Sequence, residues 1–211
     1  GGMEMTTEVE GRNQRYYALA KYSGMPPDTG QSCTLTQFLP GKGNQEAYNA
    51  ALRYVSKQGH HFITFVGEVG RGKTHLALGI GWQWIGQGKG TVKYWQVSEL
   101  LEAMRREYDN PPQDNYGNPQ PGEFKKAKDC SLLILDDLGV EKSTEWAVDK
   151  LDTLINHRWL LEKPTVFTTN LAPAQLSPRV SSRIREGVTV TLEGPDYRRI
   201  KAKLRKEGNR V

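Results

Sequence analysis

The chain has 211 residues, 36% of them hydrophobic, and 29 Lys/Arg against 24 Asp/Glu give a formal charge of +5. That length suits one compact domain, or a domain with an arm. No apolar run approaches the roughly 20 residues of a membrane span, and two distant cysteines, Cys33 and Cys130, exclude a disulfide framework and a four-cysteine zinc site, so free thiols in a cytoplasmic protein are expected.

Gly1-Gly2 ahead of Met3 has the look of an expression remnant, without the basic start and apolar stretch of a signal peptide. The natural start of the chain is therefore expected to be missing. Residues 1–40 read as an arm and lead-in, polar and Gly/Pro/Thr-rich, with one helix near Tyr16-Tyr17-Ala18-Leu19-Ala20, and residues 41–211 as the main domain. Helical spacing from Gln45 to Gln58 puts Tyr48, Ala51, Leu52 and Val55 on one face. A short β-rich run, 61–66, leads into a glycine turn and an apolar-periodic helix from Lys73 to about Gln87. A strand at 91–96 follows, then a helix from a Ser98 cap to about Tyr108. Residues 109–122 are a Pro/Asn/Gly-rich loop. The run 131–136 lacks polar alternation, as in a strand covered on both faces. A helix from Ser143 to about Leu161, a strand at 165–170, a helix opened by Ser177-Pro178 and ended near Gly187, and a strand at 188–192 complete the core. Asp196 caps a last basic helix. Strands alternating with helices predict an α/β domain with a parallel five-stranded sheet.

Charge is concentrated at the end. From Arg179 onward there are ten Lys/Arg and four Asp/Glu, a net of +6, so the preceding 178 residues sum to −1. A basic end fits a polyanion partner, and equally a solvated helix face.

Four groups of residues carry chemistry. The first is Gly67-Glu68-Val69-Gly70-Arg71-Gly72-Lys73-Thr74, with His75 following, between a predicted strand and a predicted helix. Its glycines let successive amides turn around phosphate oxygens at a helix N-terminus. Lys73 is expected to reach the β- and γ-phosphates of ATP, and Thr74 to ligate Mg²⁺. The second is Asp136-Asp137, closing an apolar strand at the sheet edge beside the turn: Asp136 for Mg²⁺ through water, Asp137 to polarise the attacking water. The third is Asn170, which either orients that water or serves as a turn residue. The fourth is Arg179, Arg183 and Arg185. Arg179 and Arg183 share a helix face that could reach a neighbour's nucleotide, or could simply face solvent. The 109–122 loop has no arginine-rich lid, which argues against a small-molecule kinase.

In order, these pieces resemble the AAA+ ATPases of the DnaC/DnaI helicase-loader family and the related IstB transposition helpers. The resemblance runs from about Tyr17 to Arg205, through Ser23-Gly24-Met25-Pro26-Pro27, Leu35-Thr36-Gln37-Phe38, GEVGRGKTHLA (67–77), LLILDDLG (132–139), NHRW (156–159), TVFTTNL (165–171), PRVSSRI (178–184) and DYRR (196–199). It implies an AAA+ core with a reduced C-terminal lid. It implies Asn170 as sensor 1, Arg183 as an arginine finger acting on an adjacent protomer in an ATP-dependent homo-oligomer, with Arg179 next, and Arg198 as a sensor-2-like contact to the γ-phosphate. It places Arg105, Arg106, Lys125, Lys126 and Lys128 on a single-stranded DNA path, with Tyr108 or Tyr116 for stacking. The implied partner is a replicative helicase, or a transposase on duplex DNA in the IstB reading. A binding module with negligible turnover is a third reading, opposed by the intact Asp136, Asp137 and Asn170.

Overall fold

The computed structural model describes residues 2–56, 61–139 and 144–197. Five parallel strands, β1 (Phe62–Val66), β2 (Val92–Gln96), β3 (Leu132–Asp136), β4 (Thr165–Thr169) and β5 (Val188–Thr191), form one sheet in the order β2-β3-β4-β1-β5. The helices are α1 (Gly2–Ser23), α2 (Thr29–Ser32), α3 (Gln45–Val55), α4 (Lys73–Gly86), α5 (Val97–Asp109), α6 (Glu123–Asp129), α7 (Glu145–Leu160) and α8 (Pro178–Arg185).

Side chains of a strand alternate between faces, and the two cores follow that rule. Ile63, Phe65, Leu132, Ile134 and Val166 enter one core with α3, α4 and the lead-in. Phe62, Leu133, Leu135 and Phe167 enter the other with α5, α7 and α8. β1, β3 and β4 are buried throughout, as expected for parallel strands covered on both faces. Helix α4 is buried nearly all round because the sheet lies on one side and α1, α3 and the lead-in on the other.

Several elements differ from the sequence reading. The arm is one 22-residue helix, α1, whose Tyr16, Leu19 and Ala20 pack against the core. Helix α3 buries Ala47, Ala50, Ala51, Tyr54 and Val55, while Leu52 is 38% exposed. Its inward stripe is thus mostly alanine, which lets it lie close on α4. Helix α5 begins at Val97, so Ser98 lies inside its first turn rather than capping it. Thr144 caps α7, its hydroxyl accepting from the Ala147 amide. Ser143 and the basic end after Tyr197, Arg198 included, lie outside the described residues. Residues 109–122 are organised around Asp114, whose Oδ1 accepts the amides of Tyr116 and Asn118 at 2.9 Å each. Helix α6 follows that turn unforeseen.

Arg158 of α7 is fully buried. Its guanidinium donates to Thr165 Oγ1 and to the carbonyls of Ala127, Lys128, Cys130 and Pro164 at 2.7–3.2 Å. The carbonyls ending α6 have no acceptor role within their own helix, and a cation there also opposes the helix dipole. One side chain therefore fastens α6, α7 and the starts of β3 and β4. Burial lowers its pKa from the ordinary arginine value.

Candidate nucleotide site

Sheet register assembles the site. Val66 pairs with Thr169, so the turn leaving β1 and Asn170 leaving β4 emerge side by side. Leu135 pairs with Phe167, which places Asp136 beside Thr168. All these groups lie at the carboxyl ends of parallel strands, where open α/β sheets bind ligands.

Gly70 and Gly72 take left-handed φ values of 82° and 97°. A Cβ on Gly70 would lie 2.2 Å from Asp196 Oδ1, and one on Gly72 2.9 Å from the Phe38 ring. Both positions therefore favour glycine by conformation, and Gly72 by the packed Phe38 ring as well. Gly72 is the N-cap of α4, so the turn delivers the first amides of a long helix to the cleft, where an anion is favoured. Val69 is exposed, and Arg71 pairs with Glu68 at 2.5 Å. Gly67 donates its amide to Thr169 O, tying the start of the turn to β4.

Lys73 is buried, and its ammonium donates to Asn170 Oδ1 at 2.7 Å and to Glu68 O at 2.9 Å. Thr74 donates to Asp136 Oδ1 and Oδ2 at 3.0 and 3.2 Å. Asp136 is 2% exposed and also accepts from Tyr94 Oη at 2.8 Å and Thr168 Oγ1 at 2.5 Å. Burial and the neighbouring Asp136 carboxylate hold the Tyr94 phenol well above its ordinary pKa. Asp137 has φ 57°, and its amide donates to Thr168 Oγ1 at 2.9 Å. A left-handed non-glycine residue carries strain that its surroundings must hold in place.

A cleft of about 340 Å³ is lined by this turn, Lys73, Thr74, His75, Asp137 and Asn170, and on its other side by Cys33, Gln37, Phe38, Leu39, Leu78 and Tyr197. Phe38 stacks on Tyr48 and Tyr197 at 5.6 and 5.9 Å and meets His75 edge-on at 5.3 Å. The Tyr197 amide donates to Gly70 O, its hydroxyl donates to Leu39 O, and Asn44 donates to that hydroxyl at 2.7 Å. Tyr197 thereby joins the lead-in to the glycine turn. His75 shares a hydrogen bond with Thr34 O at 2.9 Å. The sequence reading noted the Leu35–Phe38 motif and Tyr197 without placing them in the cleft, and gave Tyr94 and Thr168 no role. Cys33, a free thiol as expected, is half-buried in the cleft wall.

The other expected residues lie away from this cleft. Arg183 stacks on Trp159, 3.7 Å from the ring centre, and pairs with Glu186 at 3.1 Å. Arg179 faces Asp152 at 3.8 Å and is mostly exposed. Both line a second cleft, between α7 and α8. Adjacent positions on a helix point apart, and the structure separates Arg105 from Arg106 accordingly. Arg105 lies 4.7 Å from the Trp146 ring, while Arg106 lines a groove with Lys21, Lys93 and Trp95. Lys125 pairs with Asp129 and Lys126 with Glu123, both at 2.7 Å. Lys128 sits over the Phe124 ring. Tyr108 and Tyr116 are 88% and 90% exposed.

Mg²⁺ is characteristically held by one or two carboxylates, a hydroxyl and substrate phosphates rather than by a full protein cage. Thr74 and Asp136 supply that partial set, and among the described residues no three His, Cys, Asp or Glu side chains are grouped to hold a metal alone. The donor set fits the ion.

A five-stranded parallel sheet in this order, with a glycine turn leaving β1 and an acid closing β3, defines an AAA+ P-loop ATPase domain. Residues 30–191 match the bacterial DnaA ATPase domain, and the chain belongs to that family. It is 32% identical over 183 residues to the chromosomal replication initiator protein DnaA of Enterococcus faecalis, covering 83% of this chain and 39% of that protein. A structure of replication initiator DnaA bound to AMPPCP and single-stranded DNA matches with a TM-score of 0.70 at 26% identity, over 87% of this chain and 56% of that one. A DnaC helicase loader shares the fold, with a TM-score of 0.66 at 21% identity over 78% and 98%. The chain spans about two fifths of the length of the first curated relatives it matches. The family shown is therefore that of the DnaA ATPase domain, whereas the loaders that the sequence motifs resemble are matched in fold alone. No helix among the described residues is long and apolar enough to cross a membrane.

Proposed function

We propose that the chain is an ATP-driven switch in DNA replication, which binds ATP with Mg²⁺, assembles with its own copies on single-stranded DNA, and acts as a loader for a replicative helicase. The observation that carries the nucleotide reading is the bond from Thr74 to Asp136, which joins the glycine turn to the acidic strand end.

In this reading the amides of residues 67–74 cradle the phosphates, and Lys73 leaves Asn170 to contact the β- and γ-phosphates. Thr74 and Asp136 hold Mg²⁺, which when bound neutralises charge on the phosphate oxygens. Asp137 polarises the attacking water and Asn170 orients it. Phe38, Leu78 and Tyr197 offer the apolar wall a base requires. Arg183, with Arg179 as the next candidate, acts on a neighbouring protomer's nucleotide. Its place on the α8 surface, away from its own cleft, suits action in trans. Arg198 would touch the chain's own γ-phosphate, and Arg105, Arg106, Lys125 and Lys126 would follow DNA. Support for the replication setting comes from family membership and from the relative bound to AMPPCP and single-stranded DNA.

An initiator-type role is the second reading, favoured by the 32% identity to DnaA. Gel filtration with an ATP analogue, with and without single-stranded DNA and a hexameric replicative helicase, tests both. The loader reading expects a helicase complex and assembly on single strands, with Arg183→Ala binding nucleotide but assembling less. Assembly on duplex DNA without helicase would favour the initiator reading. Wild-type chain that binds nucleotide yet joins neither DNA nor helicase would remove both.

A further inference from the structure

Tyr94 belongs to neither the glycine turn nor the acidic motif, yet it holds the carboxylate on which the metal reading depends. On β2 it pairs with Ile134, and two residues later Gln96 pairs with Asp136. Two residues of strand rise about 6.6 Å, a span that a tyrosine side chain covers, so the Tyr94 hydroxyl arrives at Asp136 Oδ2. An ionised carboxylate only accepts, which fixes Tyr94 as donor. Thr168 accepts the Asp137 amide and gives its own proton to the other oxygen, Oδ1, at 2.5 Å. Each carboxylate oxygen thus has its own short donor on a neighbouring strand. Thr74, at 3.0 and 3.2 Å, is shared between the two. Of the three hydroxyls it is the one whose departure costs least.

We propose that Tyr94 is a positioning residue for the divalent cation. With Thr168 it fixes the plane of the Asp136 carboxylate, so that Thr74 turns from Asp136 to the arriving cation while Asp136 keeps its orientation. The inference rests on the ATP–Mg²⁺ reading above and adds to it an outer partner on the edge strand. Partners of this kind typically change metal affinity or activity by 10- to 100-fold, on the order seen in other metal sites.

The test compares wild type with Tyr94→Phe, which keeps the ring and removes the donor. A fluorescent ATP analogue without metal reads the phosphate cradle, and Mn²⁺ titrated into the AMPPCP complex by electron paramagnetic resonance reads the cation. Tyr94→Phe is expected to bind metal-free nucleotide as wild type does and Mn²⁺ about tenfold more weakly or worse. Unchanged Mn²⁺ affinity in Tyr94→Phe overturns the inference and leaves the nucleotide reading intact. Wild type that binds no Mn²⁺ with AMPPCP overturns the Mg²⁺ reading itself, and this inference with it. A probe that keeps the hydroxyl is 3-fluorotyrosine at position 94. Its ¹⁹F resonance is expected to move when Mg²⁺ joins the AMPPCP complex, and an unmoved resonance counts against the role.

Discussion

The Lys73 ammonium and the Asn170 amide oxygen, 97 positions apart in the chain, meet at 2.7 Å. The contact follows from sheet order, because β4 lies beside β1 and their ends are in register. It keeps a buried lysine hydrogen-bonded, as a buried charge requires, inside the cleft proposed to take the phosphates. Asn170→Ala is expected to leave ATP binding within about threefold while lowering hydrolysis by ~10-fold or more, the scale of losing one polar group aimed at reacting atoms. Steady-state turnover beside equilibrium binding separates the two effects. Equal loss in both would make Asn170 a partner of Lys73 alone.

Arg183 presents a contest between two roles. Its stack on Trp159 and pair with Glu186 hold it on α8, whereas a finger must reach a neighbour. Arg183→Ala is expected to lower assembly-dependent hydrolysis by at least ~100-fold, on the scale of arginine fingers, without altering nucleotide binding. Mixing it with the Lys73→Ala chain should restore part of the activity, since each supplies what the other lacks. Mixtures without any recovery would place Arg183 in a structural role.

Arg158 is expected to dominate local stability. Arg158→Met removes a donor from four carbonyls and Thr165. Ala127 O, Lys128 O and Pro164 O keep a second donor from Cys130, Lys163 and Leu133. A net cost of about 2 kcal/mol follows, chiefly from the buried Cys130 carbonyl. Urea unfolding gives the value. A loss under about 1 kcal/mol would mean that water replaces the guanidinium.

His157 gives a pH signature. Burial first, then the charges of Lys128 and Lys163, lower its pKa below the ordinary 6.5. The unfolded chain therefore binds this proton more tightly than the folded one. Its contribution is full above pH 6.5 and is lost as pH falls through the depressed folded value. His157→Gln is expected to flatten that part of the stability profile, measured by denaturant midpoints between pH 5 and pH 7, within the range set by ordinary histidine titration. An unchanged slope would assign acid sensitivity elsewhere.

Much of this arrangement was legible from the sequence for a physical reason. Parallel strands buried on both faces leave unbroken apolar runs, and phosphate turns demand glycine, so β1, β3, Gly70, Gly72 and Asp136 stand out. What stayed hidden depends on register and on distant packing. Tyr94 reads as an ordinary strand residue until β2 is placed beside β3. Phe38 and Tyr197 reach the cleft from opposite ends of the described chain. Helix α6 carries five charged residues in seven and follows a Pro/Gly-rich loop, so its helical character was masked. The alanine stripe of α3 was misjudged because hydrophobic size was weighed above closeness of approach.

The most direct measurement for the whole account is calorimetric titration of AMPPCP with Mg²⁺ into the wild-type chain and into Lys73→Ala. Saturable 1:1 binding by wild type, weakened at least ~100-fold in Lys73→Ala as expected for loss of a buried charged contact to phosphate, is the expected result. Equal affinity in the two chains, or no binding by wild type, would contradict it.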